Sequence, residues 1–227
     1  MADLGSISLL ISLVLVAYSA FGSLTGVLIK ADRLILSARY AVYLVPLSLL
    51  FSTIGLIGAF VTKDFQVQYV WAHSNRAMDP QYIWVAFYAG NEGSLLYIAM
   101  AMSIFAALAI YFSPRAVQPS LPHITLVLMA VLAFFVAVTA FLANPFERHG
   151  FLPADGQGMN PLLTHPGMFI HPPILMTGLI GVTLPFSFAM GALISGKNIE
   201  DWVDIGRVWG LIIWAMLGIC LLYTSDA

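Results

Sequence analysis

The sequence predicts an all-α, polytopic membrane helix bundle of about six transmembrane helices, with structured loops on one face. Three observations predict it. The 227 residues are 60% hydrophobic and 9% charged, with a mean hydropathy of +0.92, where soluble domains use roughly 25% charged residues. Six long apolar runs recur along the chain, none with Asp, Glu, Lys, Arg or His at its middle. Two longer segments, 62–94 and 143–173, interrupt them with turn-forming and aromatic residues. A formal net charge of −2 offers no basic footprint, which argues against nucleic acid as a partner.

The first span is 4–29. Its 26 uncharged residues, at about 1.5 Å each, reach roughly 39 Å, enough to cross with tilt. No basic n-region or cleavage site precedes it, so a retained helix is expected and not a signal peptide. Gly22 and Gly26 form a GxxxG pair that lets another helix approach closely. Lys30, Asp32, Arg33 and Arg39 read as a short charged connection to the second span, 40–61.

Phe65, Val67, Tyr69 and Trp71 then alternate with other residues, the period of an extended segment. The loop WAHSNRAMDP follows, with His73, Asn75 and Arg76, and then a cluster of Tyr82, Trp84, Phe87 and Tyr88. Such a cluster is either an interfacial aromatic belt or a platform beside a ligand site, and the residues alone favour the belt. The turn GNEGS puts Glu92 at the mouth of the third span, 95–112, where an acidic residue suits the helix dipole. A proline-rich connection, 113–122, leads past His123 at the headgroup level to the fourth span, 124–142.

The fifth span, 174–194, contains Pro185, tolerable in a membrane helix whose neighbours satisfy the released carbonyl. After the polar stretch 195–207 comes the sixth, 208–223, with Trp209, Trp214 and the single cysteine, Cys220. One cysteine cannot form an intramolecular disulfide or a CxxC pair, so no thiol exchange is expected. The tail 224–227 reads as truncated or artefactual.

Lysines and arginines set the expected orientation. Six lie in the connections after spans one, three and five: Lys30, Arg33, Arg39, Arg115, Lys197 and Arg207. Three lie opposite: Lys63, Arg76 and Arg148. The positive-inside rule puts the six in the cytoplasm, and the N-terminus, the loop at His73 and the central loop outside. His73, His149, His165 and His171 share that outer side. The uncharged spans argue against a proton or ion transporter, and no phosphate-binding loop, HExxH helix or nucleophile elbow is present.

The central stretch FLPADGQGMNPLLTHPGMFIHPP, from Phe151 to Pro173, is a long polar and turn-rich segment caught between strongly apolar runs. Asp155-Gly156, Asn160-Pro161 and Pro166-Gly167 are turn dipeptides. His171 precedes two prolines, so it reads as the last non-helical residue before a new helix. The positive end of that helix keeps an imidazole neutral, the form a metal requires. An interfacial histidine bonded to a loop carbonyl is the other reading of the same residue.

Taken together, QVQYVWAHSN, GNEGS and ADGQGMNPLLTHPGMFIHPPIL resemble the N-terminal portion of CcmF-type haem lyases, membrane proteins of cytochrome c maturation. The match runs in order through nearly all of the chain. The resemblance implies that His171 is one of two periplasmic histidines that ligate haem b, bound as substrate and handed over by a haem chaperone. It implies attachment of that haem to CxxCH cysteines of an apocytochrome c, in company with a thiol-handling subunit, at the bacterial inner membrane. His165, Trp71, Asp155 and Asn160 are candidates for shaping the pocket, with His165 the substitute ligand. Ile174, Leu175 and Met176 follow HPP where an aromatic often stands, and FYAGNEGS replaces the family's tryptophan-bearing form. The tryptophan-rich tract, the second periplasmic histidine and the membrane histidines that hold a structural haem b are absent from these residues. The fragment alone is therefore expected to be inactive. A non-catalytic membrane subunit that docks maturation partners, and a small-molecule transporter, are the alternatives.

Overall fold

The computed structural model describes residues 1–196 and 202–224, so the expectations placed on Lys197 and on 225–227 lie outside the described residues. Nine α-helices are found among the described residues. They are α1 (Ala2–Leu28), α2 (Asp32–Val61), α3 (Gln68–His73), α4 (Ile83–Phe87), α5 (Asn91–Tyr111), α6 (Leu121–Phe141), α7 (His171–Gly181), α8 (Thr183–Ser195) and α9 (Trp202–Thr224). Six stretches of the described residues are long and apolar enough to cross a membrane: α1, α2, α5, α6 with the turn before it, α7 with α8, and α9. The fold is the expected all-α polytopic bundle.

α1 packs along α2 and also along α6. The contact with α2 is built from small residues. A Cβ on Gly26 would stand 2.7 Å from the Ile35 side chain, and one on Gly55 would stand 2.7 Å from Gly5 Cα. The Ser19 hydroxyl donates to the Ala38 carbonyl at 2.9 Å, and Ser48 donates to the Ser8 carbonyl at 2.7 Å. Without a hydrophobic drive in lipid, close backbones and such bonds hold helices together.

Three expectations are corrected here. Asp32, Arg33 and Arg39 are not a connecting loop but the opening turns of α2, and the turn itself is Ile29 to Ala31, with Lys30 at φ 54°. Residues 65–71 are not an extended segment. Val67 makes one antiparallel bridge to Arg148, and Gln68 then starts α3, because Trp71 N–H closes back on the Val67 carbonyl at 3.0 Å. The fifth span is two helices, not one. Pro185 has no N–H for the Gly181 carbonyl, and the chain tightens at Val182, whose N–H reaches Leu179 at 3.3 Å.

The two long loops lie at one end of the bundle and dock on each other. Gln68 N–H donates to the Glu147 carbonyl and His149 N–H to the Gln66 carbonyl, both at 2.8 Å. The Arg148 guanidinium also meets Asp3 at 2.9 Å, which puts the start of α1 at this end. At the opposite end, Arg39 donates to Gln118 at 3.2 Å and Ser120 bonds Ser195 at 2.8 Å.

Candidate functional site

The loop end is organised by backbone bonds that glycines permit. Asp155 Oδ1 accepts the N–H groups of Arg76 and Gly156 at 2.8 and 2.7 Å. Gln157 N–H donates to the Trp71 carbonyl at 2.8 Å, and Gly158 N–H to the Ser74 carbonyl at 3.1 Å. A Cβ on Gly156 would overlap the Ser74 carbonyl oxygen, and Gly158 sits at φ +89°. The tract DGQG is thus a strap laid on the end of α3. Asn160 Oδ1 accepts Leu162 N–H at 3.0 Å and starts a 3-10 turn, Pro161–Thr164. His165 Nδ1 accepts Gly167 N–H at 3.1 Å and starts the next, Pro166–Phe169.

The Arg76 and then the Gly156 N–H hold the exposed Asp155 carboxyl below the usual carboxylate range. Its folded value lies below the unfolded one, about 3.9. The docking it supports is therefore complete above that range and is lost as pH falls through the folded value. Acidification is expected to speed amide exchange at Arg76 and Gly156 beyond the intrinsic change. Asp155→Asn keeps the Oδ1 acceptor and should abolish that extra pH dependence.

The aromatic cluster packs into the protein. Tyr88 is buried, and Trp84 and Tyr97 are partly so. All three turn polar atoms onto the chain around His171. Trp84 Nε1–H donates to the Phe169 carbonyl at 3.1 Å, and Tyr88 O–H donates to the Met168 carbonyl. Tyr97 reaches Thr177 Oγ1 at 2.8 Å and the Pro173 carbonyl at 3.3 Å. Burial, with Tyr97 adding, pushes the Tyr88 phenol up to about 12, so it remains a donor at neutral pH. The backbone is thereby pinned on both sides of His171.

His171 is the first residue of α7, one position earlier in the helix than its prolines suggest. The Ile170 carbonyl takes the first available N–H, that of Ile174 at 3.2 Å, because Pro172 and Pro173 have none to offer. The partly buried ring meets α9, where Cys220 Sγ lies 2.9 Å from Nδ1. With Ile170, Ile174 and Ile219 these residues line an apolar cleft of about 130 Å³. The cysteine is 49 residues away in sequence, and no local signal announced it.

A second cleft, about 180 Å³, opens between α3, the start of α5 and the segment after α6. Trp71, His73, Glu92, Glu147 and His149 line it. Trp71 meets His149 edge-on at 5.0 Å, and His73 lies 4.4 Å from Tyr69. Tyr69 O–H bonds the Phe87 carbonyl at 3.1 Å and accepts Gly90 N–H at 2.9 Å; burial drives its phenol well above the ordinary value. The structure therefore divides the predicted residues. His171 faces the apolar cleft, Trp71 the second one, and Asp155, Asn160 and His165 hold the loop between them. No group of three metal-ligating side chains is found among the described residues.

Fold and site together define an integral membrane bundle in which His171 opens α7 at the end of a clamped, glycine-strapped loop. No protein-family model matches the chain. Cytochrome c-type biogenesis protein CcmF of Pseudomonas fluorescens is 33% identical over 222 residues, covering 96% of this chain and 33% of that protein. CcmF of Escherichia coli K12 is 32% identical over 208 residues, covering 91% and 32%. NrfE of Haemophilus influenzae, also a cytochrome c-type biogenesis protein, is 32% identical over 181 residues, covering 77% and 28%. The solved structure of the cytochrome c heme lyase CcmF superposes with a TM-score of 0.80 at 26% identity, covering 95% of this chain and 34% of that one. The chain belongs to the CcmF family of cytochrome c-type biogenesis proteins, and spans about a third of the length of the relatives it matches.

Proposed function

We propose that this chain forms the part of a cytochrome c haem lyase that offers one axial histidine, His171, to the haem substrate on the periplasmic face of a bacterial inner membrane. The observation that carries this reading is the His171 ring itself. It stands at a helix N-terminus, the backbone on either side of it is pinned by three aromatic donors, and one wall beside it is apolar. That donor set suits a neutral nitrogen ligand to iron against an apolar macrocycle. His165 fits less well. Its Nδ1 accepts Gly167 N–H, so in the neutral ring Nε2 carries the proton.

In this reading the haem arrives from a chaperone, and the thiols of an apocytochrome CxxCH motif add across its vinyl groups. Each addition makes one C–S bond and moves the thiol hydrogen to the other vinyl carbon. The protein supplies position and shielding, and the haem carries the reacting bond. The orientation follows the arginine and lysine asymmetry, with both docked loops and the Asp3 end of α1 outside.

The test is His171→Ala in the complete protein. Haem affinity of the outer site is expected to fall by more than roughly 100-fold, beyond what loss of an outer-shell partner costs, and cytochrome c maturation to stop. Unchanged haem content and maturation would remove the assignment.

A further inference from the structure

We infer that Cys220 is a positioning residue for His171, whose thiol selects the imidazole tautomer with the lone pair on Nε2. The importance of that tautomer for haem rests on the reading of His171 as the axial ligand. The tautomer itself rests on geometry alone. Cys220 Sγ makes two contacts with the same residue: Nδ1 at 2.9 Å and the His171 carbonyl oxygen at 3.6 Å. A thiol has one proton, and a carbonyl oxygen only accepts. Both contacts are satisfied together only when the proton lies toward the carbonyl and the sulfur meets Nδ1 as an acceptor. In that arrangement Nδ1 carries the hydrogen, which leaves the Nε2 lone pair able to bind a metal.

The rest of the site leaves the ring little other freedom. Met168, Phe169 and Pro173 are tied through their carbonyls to Tyr88, Trp84 and Tyr97. What remains is rotation of the side chain, and the sulfur on α9 opposes it. Ile170, Ile174 and Ile219 complete the cleft, so few polar groups compete for the ring. Outer-shell partners of this kind fix both the orientation and the basicity of a metal-bound histidine. His165 shows the opposite case on the same loop, with Nδ1 as acceptor.

The complete protein, purified without haem and labelled with ¹⁵N-histidine, tests the inference before any metal is added. The nitrogen shifts of His171 are expected to report the Nδ1–H tautomer. Cys220→Val should move the ring toward the Nε2–H tautomer, and Cys220→Ala, which adds no bulk, should do the same. Cys220→Ser retains a donor and an acceptor and should keep the original tautomer. Titration with haem should then show roughly 10- to 100-fold weaker binding for Val and Ala, with Ser close to the parent. An unchanged tautomer in Val and Ala would overturn the inference, as would a Ser variant that behaves like Val. A thiolate-type haem spectrum lost in Cys220→Ala would overturn it too, by making the sulfur the ligand. If His171→Ala retains haem while the tautomer shifts as expected, the axial-ligand reading fails and the positioning stands.

Discussion

Gly93→Ala is expected to destabilise the folded protein by about 3 kcal/mol, the upper end of an ordinary overpacking cost. Two effects oppose each other. Alanine is the better helix former by up to about 1 kcal/mol, but Gly93 lies in the first turn of α5, where few intrahelical bonds reward it. Against that, a Cβ there would overlap the Phe87 carbonyl oxygen and crowd the Tyr69 hydroxyl. Both are fixed, the first by backbone and the second by its bonds to Phe87 and Gly90. The overlap wins, and α5 must shift at its mouth. For a chain of this size the cost corresponds to a drop of roughly 6–12 °C in the melting temperature. Gly210→Ala and Gly218→Ala are the controls, since nothing lies within 4 Å of a Cβ at either. They should leave the midpoint unchanged or raise it. Equal behaviour of Gly93→Ala and the controls would show that the α4–α5 junction is not packed as described.

Gly156→Ala should release the strap and spare the histidine. Its Cβ would overlap the Ser74 carbonyl and lie 2.9 Å from the Trp71 carbonyl. Those two oxygens are the acceptors for Gly158 and Gln157. Losing both bonds, at about 1 kcal/mol each, should raise amide exchange at 157 and 158 roughly 30-fold. The tethers from Tyr88 and Trp84 to Met168 and Phe169 lie between the strap and His171. Haem retention should therefore change little. A variant that keeps its protection at 157 and 158 would refute the strap, and one that loses haem together with protection would show that the two are mechanically joined.

The six spans were legible because lipid demands long uncharged helices, and that demand is written in composition. Boundaries were legible only where a side chain caps the chain. Asn160 and Pro161 announce their turn, and the Asn160 carboxamide makes it. Short elements were not legible. The alternation at 65–71 served one bridge and then a six-residue helix, too short for either period to assert itself. The function of the aromatic cluster was hidden for another reason. Whether an indole N–H meets water or the Phe169 carbonyl, 85 residues on, is decided by tertiary packing. The same holds for Cys220, whose apolar neighbours made it look inert.

α1 packs against both α2 and α6, and that arrangement sets a timetable for assembly. About 90 residues separate the end of α1 from the start of α6, which at ribosomal speed is roughly 5–20 s of synthesis. During that interval the α1–α2 pair lies in the bilayer with the second face of α1 turned to lipid. The serine and glycine contacts between α1 and α2 are local and complete at once, so the pair is a stable platform for the wait. The loop that carries His73 is made within that interval, whereas the loop with His149, His165 and His171 is made only after α6 and docks onto a scaffold already in place.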